Sequence, residues 1–233
     1  VLVGGYELTG DSNKITIEDM RDTYDVTAFG DAAHKFIPGK RAISLTHAGY
    51  LNADAARSHP VLKGIDVDGA VSVVVGQNAD PAAGDPMYSV AVRQGQYQSL
   101  IEVGKYVPFA AAFANRGDLG GWGVALAALV SFTDSASGSA IDNGAETTNG
   151  GAAFLHVLEA AASDTYTIVV EGSASGSFSG EETTLATFTL DASALGSERA
   201  AIGGTIPRYT RWEATRSGSA GDTVKIAISL VRF

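Results

Sequence analysis

"DVTAFGDAAHKFIPGKRAISLTHAGYL", Asp25 to Leu51, is the stretch on which the reading of this chain turns. It opens as a long loop marked by Gly and Pro and closes as a strand in which Ile43 and Leu45 share one face at period two. A solvated loop has no physical reason to carry Phe29, Phe36 and Ile37, because apolar surface left in water forgoes the gain of burial. Something is expected to cover them, either the open end of their own domain or another molecule.

Working outward, the same alternation recurs. Ile15 and Ile17 share a face in "KITIEDM", as do Val224, Ile226, Ile228 and Leu230 in "TVKIAISLVR". Further strands are predicted at 70–76, 88–94, 107–114, 152–159, 165–172, 185–191 and 208–215, and "GVALAALVSF" (123–132) is strand-sized. One short helix is expected at 52–58, with Asn52 or Asp54 as N-cap. The fold class is therefore all-β, with a short helix and long inter-strand loops. At 233 residues the chain can bury two cores. "NRGDLGGWG" (115–123) places four glycines in nine residues between two apolar strands, and so divides the chain into domains 1–117 and 118–233. The halves run through a similar order of elements, "VSVVVGQNADPAAGD" matching "YTIVVEGSASGSFSG" and "VGKYVPFAAAFA" matching "IGGTIPRYTRWEAT". Duplication and two unrelated sandwiches both fit that order.

Composition narrows the function. A hydrophobic fraction of 45% with 18% charge describes a folded chain, and the absence of cysteine excludes disulfides and thiolate metal sites. No apolar run approaches the ~20 residues of a spanning helix. "VLVGGYELTG" has no basic n-region, so a mature, soluble chain is expected. The net charge of −10 is uneven: between Gly117 and Glu198 there is no Lys or Arg, while carboxylates accumulate. A protein that grips phosphates needs clustered Lys and Arg, so nucleic-acid binding by charge neutralisation is excluded.

Catalytic patterns are missing. His34, His47, His59 and His156 show no metal-ligand spacing, and His47 and His156 read as packed strand residues. "DVDG" (66–69) lacks the remaining ligands of a calcium loop, and "GSASGSFSG" (172–180) fits neither register of a nucleophile elbow. No phosphate-cradling glycine motif is present, and Glu181/Glu182 or Glu18/Asp19 read as solvated charges. No enzyme, metal or cofactor is expected.

The opening stretch resembles the N-terminal part of major tail tube proteins of long, non-contractile tailed phages. The matching residues are Asp25, Val26, Thr27, Phe29, Gly30 and Asp31 of a "D-V-T-x-F-G-D" loop, then Phe36, Ile37, Pro38 and Gly39 of an "F-I-P-G" turn, then Ile43, Ser44, Leu45 and Gly49 of the following strand. "VGKYVPFAAAFANRG" resembles the family's "G-D-V-V-P-F" strand, with Lys105 and Tyr106 replacing the usual residues. The likeness covers the first half well and the second half loosely.

The resemblance implies two β-sandwich or barrel-like tail-tube domains in tandem, forming rings that stack into a hollow virion tube. It implies synthesis in the host cytoplasm, and as partners the chain itself, a tape measure protein, and tail terminator and distal tail proteins. Double-stranded DNA would pass through without specific binding. Phe29, Asp31, Phe36, Ile37, Pro38 and Lys40 would then lie at contacts between subunits or rings. An acidic wall repels DNA, and Glu18, Asp19, Asp134, Asp142, Glu146, Glu159 and Glu171 would face the lumen. If both halves are tube domains, a homotrimer makes a pseudo-sixfold ring; if only the first is, six chains do, and the trimer is favoured because the second half lacks the Trp- and Tyr-rich surface of a sugar-binding appendage. The alternative function is a carbohydrate- or cell-binding β-sandwich module, for which Tyr209 and Trp212 would be the aromatic platform.

Overall fold

The computed structural model describes residues 1–76 and 80–233. Residues 77–79, inside the "VSVVVGQNADPAAGD" segment, lie outside the described residues. The chain is nearly all β, with 56% strand and 3% helix. The first half holds β1 (Leu2–Val3), β2 (Tyr6–Glu7), β3 (Ser12–Asp25), β4 (Phe36–Tyr50), α1 (Ser58–Leu62), β5 (Asp68–Val74), β6 (Pro86–Ser99) and β7 (Pro108–Asn115). The second holds β8 (Gly121–Phe132), β9 (Ala136–Ser137), β10 (Ile141–Asp142), β11 (Gly151–Glu159), β12 (Thr165–Ser173), β13 (Thr183–Thr187), β14 (Gly196–Ile202), β15 (Tyr209–Ser217) and β16 (Val224–Arg232).

One curled antiparallel sheet crosses both halves in the order β14-β11-β16-β8-β6-β5-β1-β2, with β7 beside β6, β4 beside β7 and β3 beside β4. The splint is β6. Its opening residues pair with β8 (Met87 with Gly123) and its later ones with β7 (Tyr97 with Ala111), while β5 covers the other edge. A second sheet, β10-β15-β12-β13 with β9 on β15, belongs entirely to the second half.

Two separate cores result. Val3, Leu45, Val71, Tyr88, Val90, Phe109 and Phe113 pack inside the first half. Leu126, Leu155, Tyr166, Ile168, Trp212, Ile226 and Ile228 fill the space between the two sheets of the second. Strands β11 and β16 are buried on both faces. Leu155, Val157, Ile226 and Ile228 point into the sandwich core, while Ala152, Phe154 and Val231 meet Ala70 and Ala91 of the first half. Small residues at this seam let the two backbones approach closely.

Two local expectations are corrected. The helix lies at 58–62, sharing only Ser58 with the predicted window, and neither Asn52 nor Asp54 caps it. Asp54 instead donates its N–H to Asn52 Oδ1 (3.0 Å), an Asx turn, and the first helical N–H, that of Ser58, goes to Asp11 Oδ2 (2.9 Å). The "F-I-P-G" residues are not a turn: Phe36, Ile37 and Pro38 are paired strand residues opposite Asp25, Tyr24 and Thr23.

Candidate assembly surface

The quoted stretch forms most of a two-stranded arm. β7 reaches β4 only from Ser44 to Tyr50, so residues 36–43 pair with β3 alone and project roughly 25 Å past the sheet at ~3.3 Å per residue. At its base Arg41 pairs with Asp19, which also accepts from the Tyr88 hydroxyl (3.1 Å), and Asn115 Oδ1 accepts the Ile43 N–H (3.2 Å) where β7 ends. The Arg41 guanidinium beside Asp19 holds its carboxyl below the usual carboxylate range. Gly39 suits the arm because a Cβ there would meet the Asp22 Cβ at 2.8 Å, an atom fixed by the backbone, as well as the more movable Tyr24 ring at 2.6 Å.

The tip, residues 26–35, is ordered by its own polar groups. Val26 N–H donates to Lys35 O (2.8 Å), Ala28 N–H to Asp31 Oδ2 (2.9 Å), and the Thr27 N–H (2.9 Å) and hydroxyl to Asp25. His34 Nδ1 lies 3.2 Å from Asp25, and Lys35 pairs with Asp31. These bonds to their charged forms hold the Asp25 and Asp31 carboxyls below the usual range, Thr27 dominating at Asp25 and Lys35 at Asp31. Asp31 therefore serves the loop itself. The apolar residues are left outside: Phe29 is fully exposed, Phe36 is 60% and Ile37 50% exposed, and Pro38 and Lys40 lie in water as well. The fold-back over their own domain does not occur.

Met20, Tyr24 and Val26 join this patch, and a second one went unnoticed in the sequence. Leu100, Ile101, Val103 and Tyr106 stand exposed in the β6–β7 connection, where the Tyr106 ring lies 5.8 Å from the exposed Tyr50. Five apolar residues, Leu100, Ile101, Val103, Tyr106 and Val107, in the Gly-containing segment "SLIEVGKYVP" were the available signal.

The seven acids expected on a lumen are spread over β3, β10, β11, β12 and two loops. The stretch without Lys or Arg is not free of cations in space, because β15 and the residue before it return three arginines to it. Arg208 pairs with Asp142 (2.6 Å), Arg211 with Glu171 and Glu213 (both 2.8 Å), and Arg216 lies 3.6 Å from Asp134. Glu171 is buried in its pair, and Arg208 holds the Asp142 carboxyl well below its ordinary range. Glu18, Glu146 and Glu159 remain exposed, Glu18 accepting from Ser44 Oγ (3.1 Å). Trp212 is 2% exposed and stacks on Phe132 in the core, so it presents no platform to a sugar.

The seam between the halves carries a buried polar chain. His156 Nδ1 lies 2.6 Å from Gly4 O, which only accepts, so Nδ1 holds the proton and Nε2 accepts from Ser72 Oγ (2.8 Å). Ser72 then accepts from Ser89 (2.7 Å), and Ser89 from Ser229 (2.6 Å). His47 holds the opposite tautomer. Ser12 gives its hydroxyl proton to Leu8 O (2.6 Å) and so accepts from His47 Nε2 (2.6 Å), leaving the buried Nδ1 without a partner. Burial pushes both imidazoles down to about 4. Among the described residues no group of three or more His, Asp or Glu is placed to hold a metal ion.

No protein-family model matches the chain, and no curated protein matches it. Among solved structures it is similar to a chain of the virion of a native gene transfer agent particle, at 13% identity and a TM-score of 0.41 over 50% of this chain and 87% of that one. It is also similar to the Dit (gp 19.1) protein of phage SPP1, described as a hub adsorption apparatus protein, at 10% identity and 0.32 over 99% and 98%. A third similarity, at 10% identity and 0.29, is to the insecticidal delta-endotoxin Cry8Ea1 of Bacillus thuringiensis, over 96% of this chain and 54% of that one.

Proposed function

We propose that this chain is a structural subunit of a phage-type tail, self-assembling into stacked rings whose bore passes double-stranded DNA. The observation that carries the reading is the arm: its sequence resembles the tail tube family's, its tip is ordered by its own polar groups, and its apolar residues have no cover among the described residues. Contiguous exposed apolar surface of this size marks an interaction site. In this reading Phe29, Phe36, Ile37, Pro38 and Lys40 contact the next subunit, while Asp31 shapes the loop that presents them. Glu18, Glu146 and Glu159 are the acids free to face a bore; Asp19, Asp142 and Glu171 are already neutralised by arginines.

Ring size follows from how alike the halves are. In the first, β6 pairs with both β5 and β7, whereas in the second β13 pairs with β12 alone and β15 joins β12 directly. That unlike pairing weighs against the pseudo-sixfold trimer and toward six chains per ring. Negative-stain microscopy and native mass spectrometry of the concentrated protein test the proposal. Rings or tubes are expected, in multiples of six chains, with three as the competing outcome. Monomer at every concentration and salt, with and without an initiating tail-tip complex, would refute it.

A further inference from the structure

The two exposed apolar patches lie at opposite ends of one strand. The arm tip presents Tyr24, Val26, Phe29, Phe36 and Ile37 at the start of β4, and at its end Tyr50 lies 5.8 Å from Tyr106 of the β6–β7 loop, which also exposes Leu100, Ile101 and Val103. Fourteen steps of ~3.3 Å put them roughly 45 Å apart, on a strand held by β3 along its length and by β7 over its second half. One copy therefore cannot bring its own patches together. We infer that they are the two sides of one contact between copies, the arm tip of each chain seated on the β6–β7 loop of the next.

Two observations support this partner over others, and a consequence for assembly follows from it. The patches match in size: counting ~200 Å² for a fully exposed large side chain, each offers roughly 600–700 Å². Their union buries ~1,300 Å², within the range of specific, stable interfaces. Second, the side edge of the arm is guarded. Strand β3 pairs with β4 alone, and its exposed Lys14, Glu18, Asp19, Arg21 and Asp22 discourage another strand from adding there, which leaves the tip as the contact. A contact between unlike patches at opposite ends is heterologous, so it propagates from copy to copy instead of stopping at a dimer. The inference rests on the self-assembly proposed above and names the surface that receives the arm.

The chain has no cysteine, so engineered thiols report without background. Ala28→Cys places one beside Phe29 and Glu102→Cys one beside Val103, leaving every apolar side chain intact. The two variants, one carrying a mass tag, are mixed, assembled and oxidised. The expected product is the 28-to-102 crosslink between differently tagged chains, with no crosslink when either variant is oxidised alone. Assemblies that give 28-to-28 or 102-to-102 products, or none in the mixture, overturn this inference and leave self-assembly standing. Failure of the wild type to assemble overturns both.

Discussion

The two halves of the molecule place their apolar residues in opposite ways. Beyond residue 117, Leu119, Trp122 and Leu195 are the exposed large hydrophobic side chains among the described residues; all the others lie in the first half. The second half sandwiches its core between two sheets and covers the outer face of β11 and β16 with the first half's small residues. The first half closes its core with one curled sheet and sends its longest hairpin into solvent. The second half leaves few large apolar side chains in water and the first leaves many, which under the proposed assembly are the ones a second copy would cover. Substitutions in either core should therefore cost stability, and substitutions at the exposed apolar residues of the first half should cost assembly.

The largest effect on stability is expected at Trp212. Buried at 2% exposure, it stacks on Phe132 with ring centroids 5.5 Å apart. Trp212→Ala removes a large aromatic from a closed core and should cost ~3–5 kcal/mol, read as the shift in a urea unfolding curve. A loss under ~1 kcal/mol would mean that the second core is loosely packed and the contrast between halves false.

Next come the histidines, one for the first core and one for the seam. Both have folded values of about 4 against an ordinary value of 6.5. Between those limits the unfolded chain takes up protons that the folded chain refuses, so stability is full above pH 6.5 and falls as pH drops toward 4. Each histidine contributes up to ~3 kcal/mol of that loss. For His156, protonation turns Nε2 into a donor and obliges the Ser72–Ser89–Ser229 chain to reverse; for His47 it adds a buried N–H with no acceptor. His156→Asn, which keeps a donor toward Gly4 O, should remove about half of the pH dependence of thermal melting between pH 7 and 4.5. An unchanged slope would show that the seam opens without protonating His156. Below about pH 4 the depressed carboxylates, Asp19 and Asp142 among them, add their own loss, so the measurement stops above it.

How far the sequence disclosed this contrast varies with how local each signal is. Period-two alternation found β4 at Ile43 and Leu45 and β16 at Val224, Ile226, Ile228 and Leu230, because those alternate residues face a core. It found β3 through Ile15 and Ile17, of which Ile17 packs against the first core. The arm was legible as apolar residues out of place, yet read as a loop because Pro38 and Gly39 are turn formers by habit. Pro38 is tolerated in β4 since it sits where the strand has a partner on one side only, so its missing N–H leaves no gap in a second ladder. Non-local facts were not legible. The helix start depends on Asp11, 47 residues away, and the charge balance of the acidic stretch depends on arginines supplied by a later segment. Strand β14 was missed because "GSERAAI" exposes or half-buries most of its residues and shows no apolar face.

The smallest effect on stability, and the sharpest test of the contrast, is expected on the arm. Phe36 is 60% exposed and its one aromatic neighbour among the described residues is the His34 ring, 6.1 Å away at the same tip. The tip's order comes from Val26, Thr27, Ala28 and Lys35 bonding to one another and to Asp25 and Asp31, none of which needs the Phe36 ring. Phe36→Ala and Ile37→Asp should therefore leave the unfolding midpoint of the monomer within ~0.5 kcal/mol of wild type, as for surface positions in general. The same substitutions remove anchors that at a subunit contact are worth ~2 kcal/mol or more apiece, a loss repeated at every copy along a filament. Tubes should shorten or fail to form while circular dichroism and urea curves stay unchanged. If the variants lose monomer stability in step with assembly, the arm belongs to its own half's fold; if tubes keep their length, the exposed apolar residues of the first half are not what joins the copies.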